Sequence, residues 1–398
     1  MSSPCSSSSP RARVSRRAGV RSDTPTGAPP PRPRRRRRHD NITDPSSSSS
    51  LPVAPPTSTA IPRDYLPFCF GAEFELILRP KSIAYPDFDA PTRVTRDFNL
   101  RLLDSIAQIL SSARLPCGVY HQGSDDKSDY TIWNATLDSS VSKKHIRDGF
   151  YPVEIVPTIN KFWAALNTQF EFRKDASCGF HVHISMSTGS YSDVQLRAMA
   201  KAVTFWEPAT ARCAPPSRQD DIQGFCKSNI VNTSAAKPLA RYGPLRGLVY
   251  AFDYIDHSSR ESIIEYVCPD KHRAWNLNPC RPGGHGSIEF RRAPGVSTSQ
   301  ASIHWIAFTM AFLDMAIQHS PESMASHVRE SAFVPEVYFP DFRTQLLECA
   351  AQLRIDSCID LDTGQFEDPE ALHFTMSSEK VIQKLQRADH RYHLSDNC

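Results

Sequence analysis

No run of about 18 apolar residues occurs in the 398-residue sequence, so nothing in it reads as a membrane-spanning helix. The closest approach, Ile303 to Ile317, is interrupted by His304 and Asp314 and reads as a buried helix. No C-x-x-C pair exists among the 11 cysteines, which argues against a zinc ribbon or a disulfide scaffold. An odd cysteine count and the lack of an apolar signal segment near the N-terminus point to reduced thiols inside a cell. Lysine is missing from residues 1–62, which hold 11 arginines and 3 aspartates for a net +8; the other 336 residues then carry −5 within a total of +3. A total so close to neutral excludes a uniformly basic nucleic-acid coat and a uniformly acidic solvating protein. There is no internal repeat.

What is present divides unevenly. Residues 1–62 contain a serine run at 46–50, a proline-rich stretch at 29–33 and five consecutive arginines at 34–38. Such a segment cannot build a core and reads as a disordered basic tail. Its arginine block is a candidate nuclear-localisation or nucleic-acid patch, because clustered guanidinium groups grip phosphate. Its first 22 residues, rich in Ser and Arg and poor in acid, also fit a mitochondrial leader. The expected compartment is intracellular, cytoplasmic or nuclear, with the mitochondrion as the third reading. The whole chain is 40% hydrophobic, enough for one large core or two modest ones. The expected organisation is a tail at 1–62, a catalytic domain at 63–320 and a C-terminal helical extension at 321–398.

Alternation predicts strands at Phe68–Leu78, from Val119, at Tyr130–Asp138, at Tyr151–Val156 and at Gly179–Ser185, with shorter ones at Ile263–Val267, Trp275–Leu277 and Ser287–Arg292. Helical spacing predicts helices at 97–113, 160–172, 193–206 (capped by Ser192), 298–319, 341–355 and 377–388, with a loop-rich stretch at 213–247. The order suits an α+β architecture, a mostly antiparallel sheet with helices on one face.

Several strands present polar groups at i and i+2, which a pleat directs to one face. Glu73 and Glu75 share a face opposite Phe74 and Leu76; His181 and His183 oppose Phe180, Val182 and Ile184; Glu289 and Arg291 oppose Ile288 and Phe290. Asp138 and Glu154 lie at or inside two further apolar strands. One such pair alone is ordinarily a solvated strand face. Carboxylates and imidazoles recur here, however, where exposed strands usually carry Lys and Thr. Acids converging on one face repel unless cations lie between them, the pattern of a hard-metal site for Mg²⁺ or Mn²⁺.

The ordered set Gly71-Ala-Glu73-Phe-Glu75, Asp138-Ser-Ser, Val153-Glu154-Ile-Val-Pro157, Cys178-Gly-Phe-His181-Val-His183-Ile, Arg273-x-x-Asn276-Leu-Asn278 and Ile288-Glu289-Phe-Arg291-Arg292-x-x-Gly295 resembles the putative amidoligase family. That family is part of the carboxylate–amine ligase superfamily that includes glutamine synthetase and glutamate–cysteine ligase. The resemblance implies an antiparallel sheet curved into a funnel with helices on its outer face, ATP entering one mouth and metal ions along the wall. It implies Glu73, Glu75, Glu289, His181 and His183 as metal ligands. Arg273, Asn276, Asn278, Arg291 and Arg292 would line the nucleotide site. Asp138 or Glu154 would be the general base, with Arg291 neutralising the transferred phosphoryl. The implied substrates are a small-molecule or peptide carboxylate and an amine, with no membrane partner. The chain departs from the family pattern at Thr158 and Val296, neither of which is a carboxylate or an arginine. Two competing readings are a cupin-like His/carboxylate iron site, separable by metal content, and a non-catalytic binding relative.

Overall fold

The computed structural model describes residues 67–81, 96–119, 133–136, 141, 143–155, 159–173, 175–219, 224–318 and 335–361. The basic tail, Asp138 and the helix expected at 377–388 lie outside the described residues.

Eight strands form one mixed but mostly antiparallel sheet. They are β1 (Phe68–Pro80), β2 (Cys117–Val119), β3 (Trp133–Thr136), β4 (Tyr151–Ile155), β5 (Phe170–Arg173), β6 (Gly179–Met186), β7 (Trp275–Asn276) and β8 (Ile288–Pro294). Their order is β2-β3-β4-β1-β6-β8-β7, with β5 paired to the far end of β1. Among the described strand pairs only β2–β3 is parallel, and the sheet they form does not close. The 13-residue β1 organises it, pairing with β6 through its first half and with β4 and β5 through its second.

One face of the sheet is the floor of the core. Phe74, Phe180, Val182, Ile184, Ile288 and Phe290 are each 0% exposed. Burying each such side chain stabilises by about 1.5–3 kcal/mol. They meet α2 (Ile159–Gln169) and α9 (Ser299–Gln318), through Phe74 on Phe162 (centroids 4.7 Å apart) and Phe290 on Phe308 (5.6 Å). Also packed here is α3 (Asp193–Phe205), whose start is fixed by a full capping box between Ser192 and Gln195. The other α-helices among the described residues are α1 (Arg96–Ser112), α4 (Glu207–Arg212), α5 (Pro216–Gln219), α6 (Ala236–Tyr242), α7 (Pro244–Asp256), α8 (Arg260–Val267) and α10 (Pro335–Gln352). Tyr338, Phe342 and Leu346 of α10 are buried in the same core as α9. No helix among the described residues is long and apolar enough to cross a membrane.

Three elements differ from expectation. Residues 263–267 are the end of α8, not a strand: Ser259 accepts from the Ser262 amide and starts a helix that this short stretch, four apolar residues around Glu265, could not reveal. The expected helix at 160–172 stops at Gln169, and Phe170–Arg173 becomes β5 because its backbone finds β1. The stretch 213–247 holds α5, α6 and the Pro-led start of α7, whose first turn suits proline's fixed φ.

Candidate functional site

The face of the sheet opposite the core carries the polar residues, and strand register brings them together. Glu73 pairs with His181 and Gly71 with His183 across β1–β6; Glu289 pairs with His183 across β6–β8; Asn276 pairs with Glu289 across β7–β8. On the other flank of β1, Glu75 stands opposite Glu154 of β4. Direct cross-strand neighbours lie about 5 Å apart at Cβ, so their side chains meet. Glu73 Oε2 is 3.0 Å from His181 Nδ1 and Glu73 Oε1 is 2.9 Å from His183 Nε2. Glu75 Oε1 is 3.4 Å from His181 Nε2, and Glu289 Oε1 is 3.5 Å from His181 Nδ1. Arg291 Nη1 contacts Glu289 Oε1, while its Nε donates to the Phe225 carbonyl at 3.3 Å.

A β-bulge lies at the centre of the site. The register shifts between Phe180/Ala293 and Val182/Phe290, so both Arg291 and Arg292 fall opposite His181. Arg291 points to the polar face. Arg292 points the other way, is 1% exposed, and donates to Glu207 Oε1 of α4 at 2.7 Å. Arg292, expected from the resemblance to line the nucleotide site, is held on the core side by this contact. Arg273 is likewise placed elsewhere, donating to the carbonyls of Ser228 and Val231 (both 2.8 Å) and to Asp270, where it ties a loop. Asn276 donates to Glu289 Oε2 at 2.7 Å, and Asn278 reaches Asn276 rather than the open face. Glu154 is half-buried beside Glu75 at its register position.

The electrostatics follow from burial and neighbours. Burial alone would raise the Glu73 carboxyl, but the His183 and His181 imidazoles hold it well below the ordinary carboxylate range. Glu289 is lowered the same way, against burial, by His183, Arg291 and His181. Burial would lower both histidines, yet the acids prevail. Glu75, Glu73 and Glu289 raise His181, and Glu73 and Glu289 push His183 up to about 9. In the metal-free protein the imidazolium of His183 thus stands where a cation is needed.

The residues also fit a divalent ion. Glu73, His183 and Glu289 each offer a ligand atom, all within 4.8 Å of one another. His183 Nε2 is buried 2.9 Å from Glu73 Oε1 without a well-directed hydrogen bond, so it faces the acid cluster as an atom that a metal ion could take once its proton is displaced. Two carboxylates with one imidazole suit Mn²⁺ or Mg²⁺. This makes a pH prediction. His183 is raised above its unfolded value near 6.5, so its stabilisation is present below about 6.5 and is lost as pH rises through about 9. Melting curves in EDTA should therefore fall in midpoint from pH 6.5 to 9, and added Mn²⁺ should flatten that decline by replacing the proton. A flat EDTA profile would contradict this charge pairing.

Two residues complete the site that periodicity could not show. The Gly179 amide donates to Glu75 Oε2, and a Cβ at Gly179 would stand 2.7 Å from that oxygen, 2.9 Å from His181 Nε2 and 3.1 Å from Arg218 Nη1. Arg218, 3% exposed on α5, donates to the carbonyls of Cys178 and Arg291 and so pins β6 to β8 beside Glu75. Its only sequence signal is the phrase Pro215-Pro-Ser-Arg218. Gly179→Ala is expected to cost about 1–3 kcal/mol by overpacking and to weaken Mn²⁺ binding, read by thermal melts and Mn²⁺ titration. Parent-like values in both would mean that the close approach does not constrain the site.

No curated protein matches the chain. A family model described as putative amidoligase enzyme matches residues 67–313, a span that starts just before β1 and ends within α9, covering every polar strand of the site. On that match the chain belongs to the putative amidoligase enzyme family, a ligase-type family.

Proposed function

We propose that the protein is an ATP-dependent carboxylate–amine ligase that forms an amide through an acyl phosphate. The observation that carries this reading is the convergence of Glu73, Glu75, His181, His183, Glu289 and Arg291 from adjacent strands on one polar face. A carboxylate is a poor electrophile, and phosphorylating it converts one oxygen into a leaving group that an amine displaces through a tetrahedral intermediate. Phosphoryl transfer needs positioning and charge neutralisation more than covalent help.

Glu73, His183 and Glu289 would hold the ion, with Glu75 and His181 beside them. A bound divalent ion supplies charge neutralisation at the nucleotide's phosphates. Arg291 neutralises the phosphoryl oxygens with a planar fork, a role its raised affinity for the proton leaves fully charged. Glu154, or Asp138, takes the proton from the attacking ammonium. In this reading the polar face is the wall of a funnel, and the substrates are a small-molecule or peptide carboxylate and an amine. The test is ADP release by the purified chain with Mg²⁺ against a panel of amines and carboxylates. ADP release that requires both partners supports the reading; none with any pair overturns it.

A further inference from the structure

We infer that Asn276, Asn278 and Arg281 form a hydrogen-bonded relay from the surface that fixes the Glu289 carboxylate for the ion, an assignment resting on the metal-centre reading above. They are positioning residues, and Asn276 and Asn278 are reassigned from nucleotide contact to this role.

The relay can be followed atom by atom. At the surface, Glu265 Oε2 of α8 accepts from Arg281 Nη2 at 2.9 Å. Arg281 Nε donates to Asn278 Oδ1 at 2.8 Å. With its oxygen engaged, Asn278 presents its amide nitrogen inward, donating to Asn276 Oδ1 at 3.1 Å. The Asn278 backbone amide reaches the same oxygen at 3.1 Å, and the Cys268 thiol donates to it at 3.6 Å. Three donors therefore converge on Asn276 Oδ1. The Asn276 side chain has no freedom to flip, since reversal would bring its oxygen against Glu289 Oε2, two acceptors at 2.7 Å, and turn its nitrogen onto three donors.

The consequence falls on Glu289. Its Oε2 is held by Asn276, while Oε1 stays on the side of Arg291 and of His183, 3.8 Å away. Asn276 thereby fixes one oxygen, and the other is turned toward Arg291 and the acid and histidine cluster. Outer partners that orient a ligating carboxylate are worth about 10–100-fold in metal affinity. The four-residue span Asn276–Pro279 is short and buried at its strand end, so the relay is rigid rather than adaptable. Asn276 itself is 5% exposed, which keeps water from replacing the missing link.

The test is Mn²⁺ affinity of the full chain without nucleotide, read from the free-ion paramagnetic resonance signal. The variants are Asn278→Ala, Asn278→Asp and Arg281→Ala, each with its melting midpoint in EDTA. Asn278→Asp keeps an acceptor for Arg281 but loses the side-chain donor to Asn276, so it breaks the side-chain relay while preserving its outer half. Arg281 is a third exposed at its side chain, so its truncation leaves the fold intact. The relay predicts a loss of about 10–100-fold in Mn²⁺ affinity for both Asn278 variants and several-fold for Arg281→Ala. Saturating Mn²⁺ should restore ATP binding to near the parent's. Parent-like Mn²⁺ affinity in folded Asn278 variants overturns the relay alone, as does intact Mn²⁺ affinity with ATP binding that saturating Mn²⁺ does not restore. A parent that binds no Mn²⁺ overturns the metal centre and the relay together.

Discussion

Glu289→Gln is expected to lower ATP turnover by about a hundredfold or more, the scale of losing one preorganised charge contact. Glu289 is 3% exposed, and its carboxylate is held between Asn276 Nδ2 at 2.7 Å and the Arg291 guanidinium. The amide keeps the shape and one oxygen acceptor while removing the charge that a divalent ion requires. Arg291→Lys should have a similar effect for the complementary reason, since it keeps a positive charge but loses the planar fork. The effect on stability separates this site from a plain surface. On a solvated strand face both changes would fall within about half a kcal/mol. Here Glu289 is pulled below the ordinary carboxylate range by His183 and Arg291 despite burial, so it is favourably paired in the metal-free protein. Neutralising it should cost about 1–3 kcal/mol, the penalty for leaving a buried donor poorly matched. Paired measurements of melting midpoint and ADP release in each variant check both statements. Unchanged ADP release in both variants would remove Glu289 and Arg291 from the site.

The largest expected stability effect lies one residue further along the same strand. Glu207→Ala should destabilise the protein by about 3–5 kcal/mol, because it removes the carboxylate paired with the buried Arg292 guanidinium on the core side of the sheet. The pair is among the least accessible ion pairs of the described residues, with side-chain exposures of 1% for Arg292 and 8% for Glu207. A loss of that size should lower the melting midpoint by roughly 10 °C for a domain of this length. Replacing both partners by apolar residues, Glu207→Leu with Arg292→Met, should recover much of it, since a buried pair is often no better than a packed hydrophobic contact. Melting curves of the single and double variants decide this. A midpoint in Glu207→Ala equal to the parent's would show that Arg292 is held by its other contacts. Adjacent arginines on β8 thus divide the labour, one serving the site and the other the fold.

That division was legible in part from sequence. Alternation alone sends Arg291 and Arg292 to opposite faces, and it places Glu73/Glu75, His181/His183 and Glu289 on the polar face of their strands. Period-2 patterning is reliable there because each strand has a fully apolar opposite face, such as Phe74, Phe180 and Phe290. The pattern fails where the element is short or its structure depends on a distant partner. Residues 263–267 contain two isoleucines, a tyrosine and a valine and look like a strand, but the serine cap at 259 decides for helix. Phe170–Arg173 follows a helix without a break, and only pairing with Ile77–Pro80 makes it a strand. Gly179 and Arg218 matter through contacts between elements far apart in sequence, which no local pattern encodes. The same holds for Arg273, a cation in a motif that proves to hold a loop.

The central claim is that the acid and histidine face binds a divalent ion that in turn binds ATP. Calorimetric titration of ATP into the purified chain, once with Mg²⁺ or Mn²⁺ and once with EDTA, tests it most directly. Oxygen ligands outnumber the imidazole in the cluster, and without a bound ion the nucleotide's phosphates would meet the carboxylates of Glu73, Glu75 and Glu289, with which His183, His181 and Arg291 are already paired. The account predicts heat of binding with either ion and none resolvable with EDTA. Equal affinity in the two conditions would contradict it.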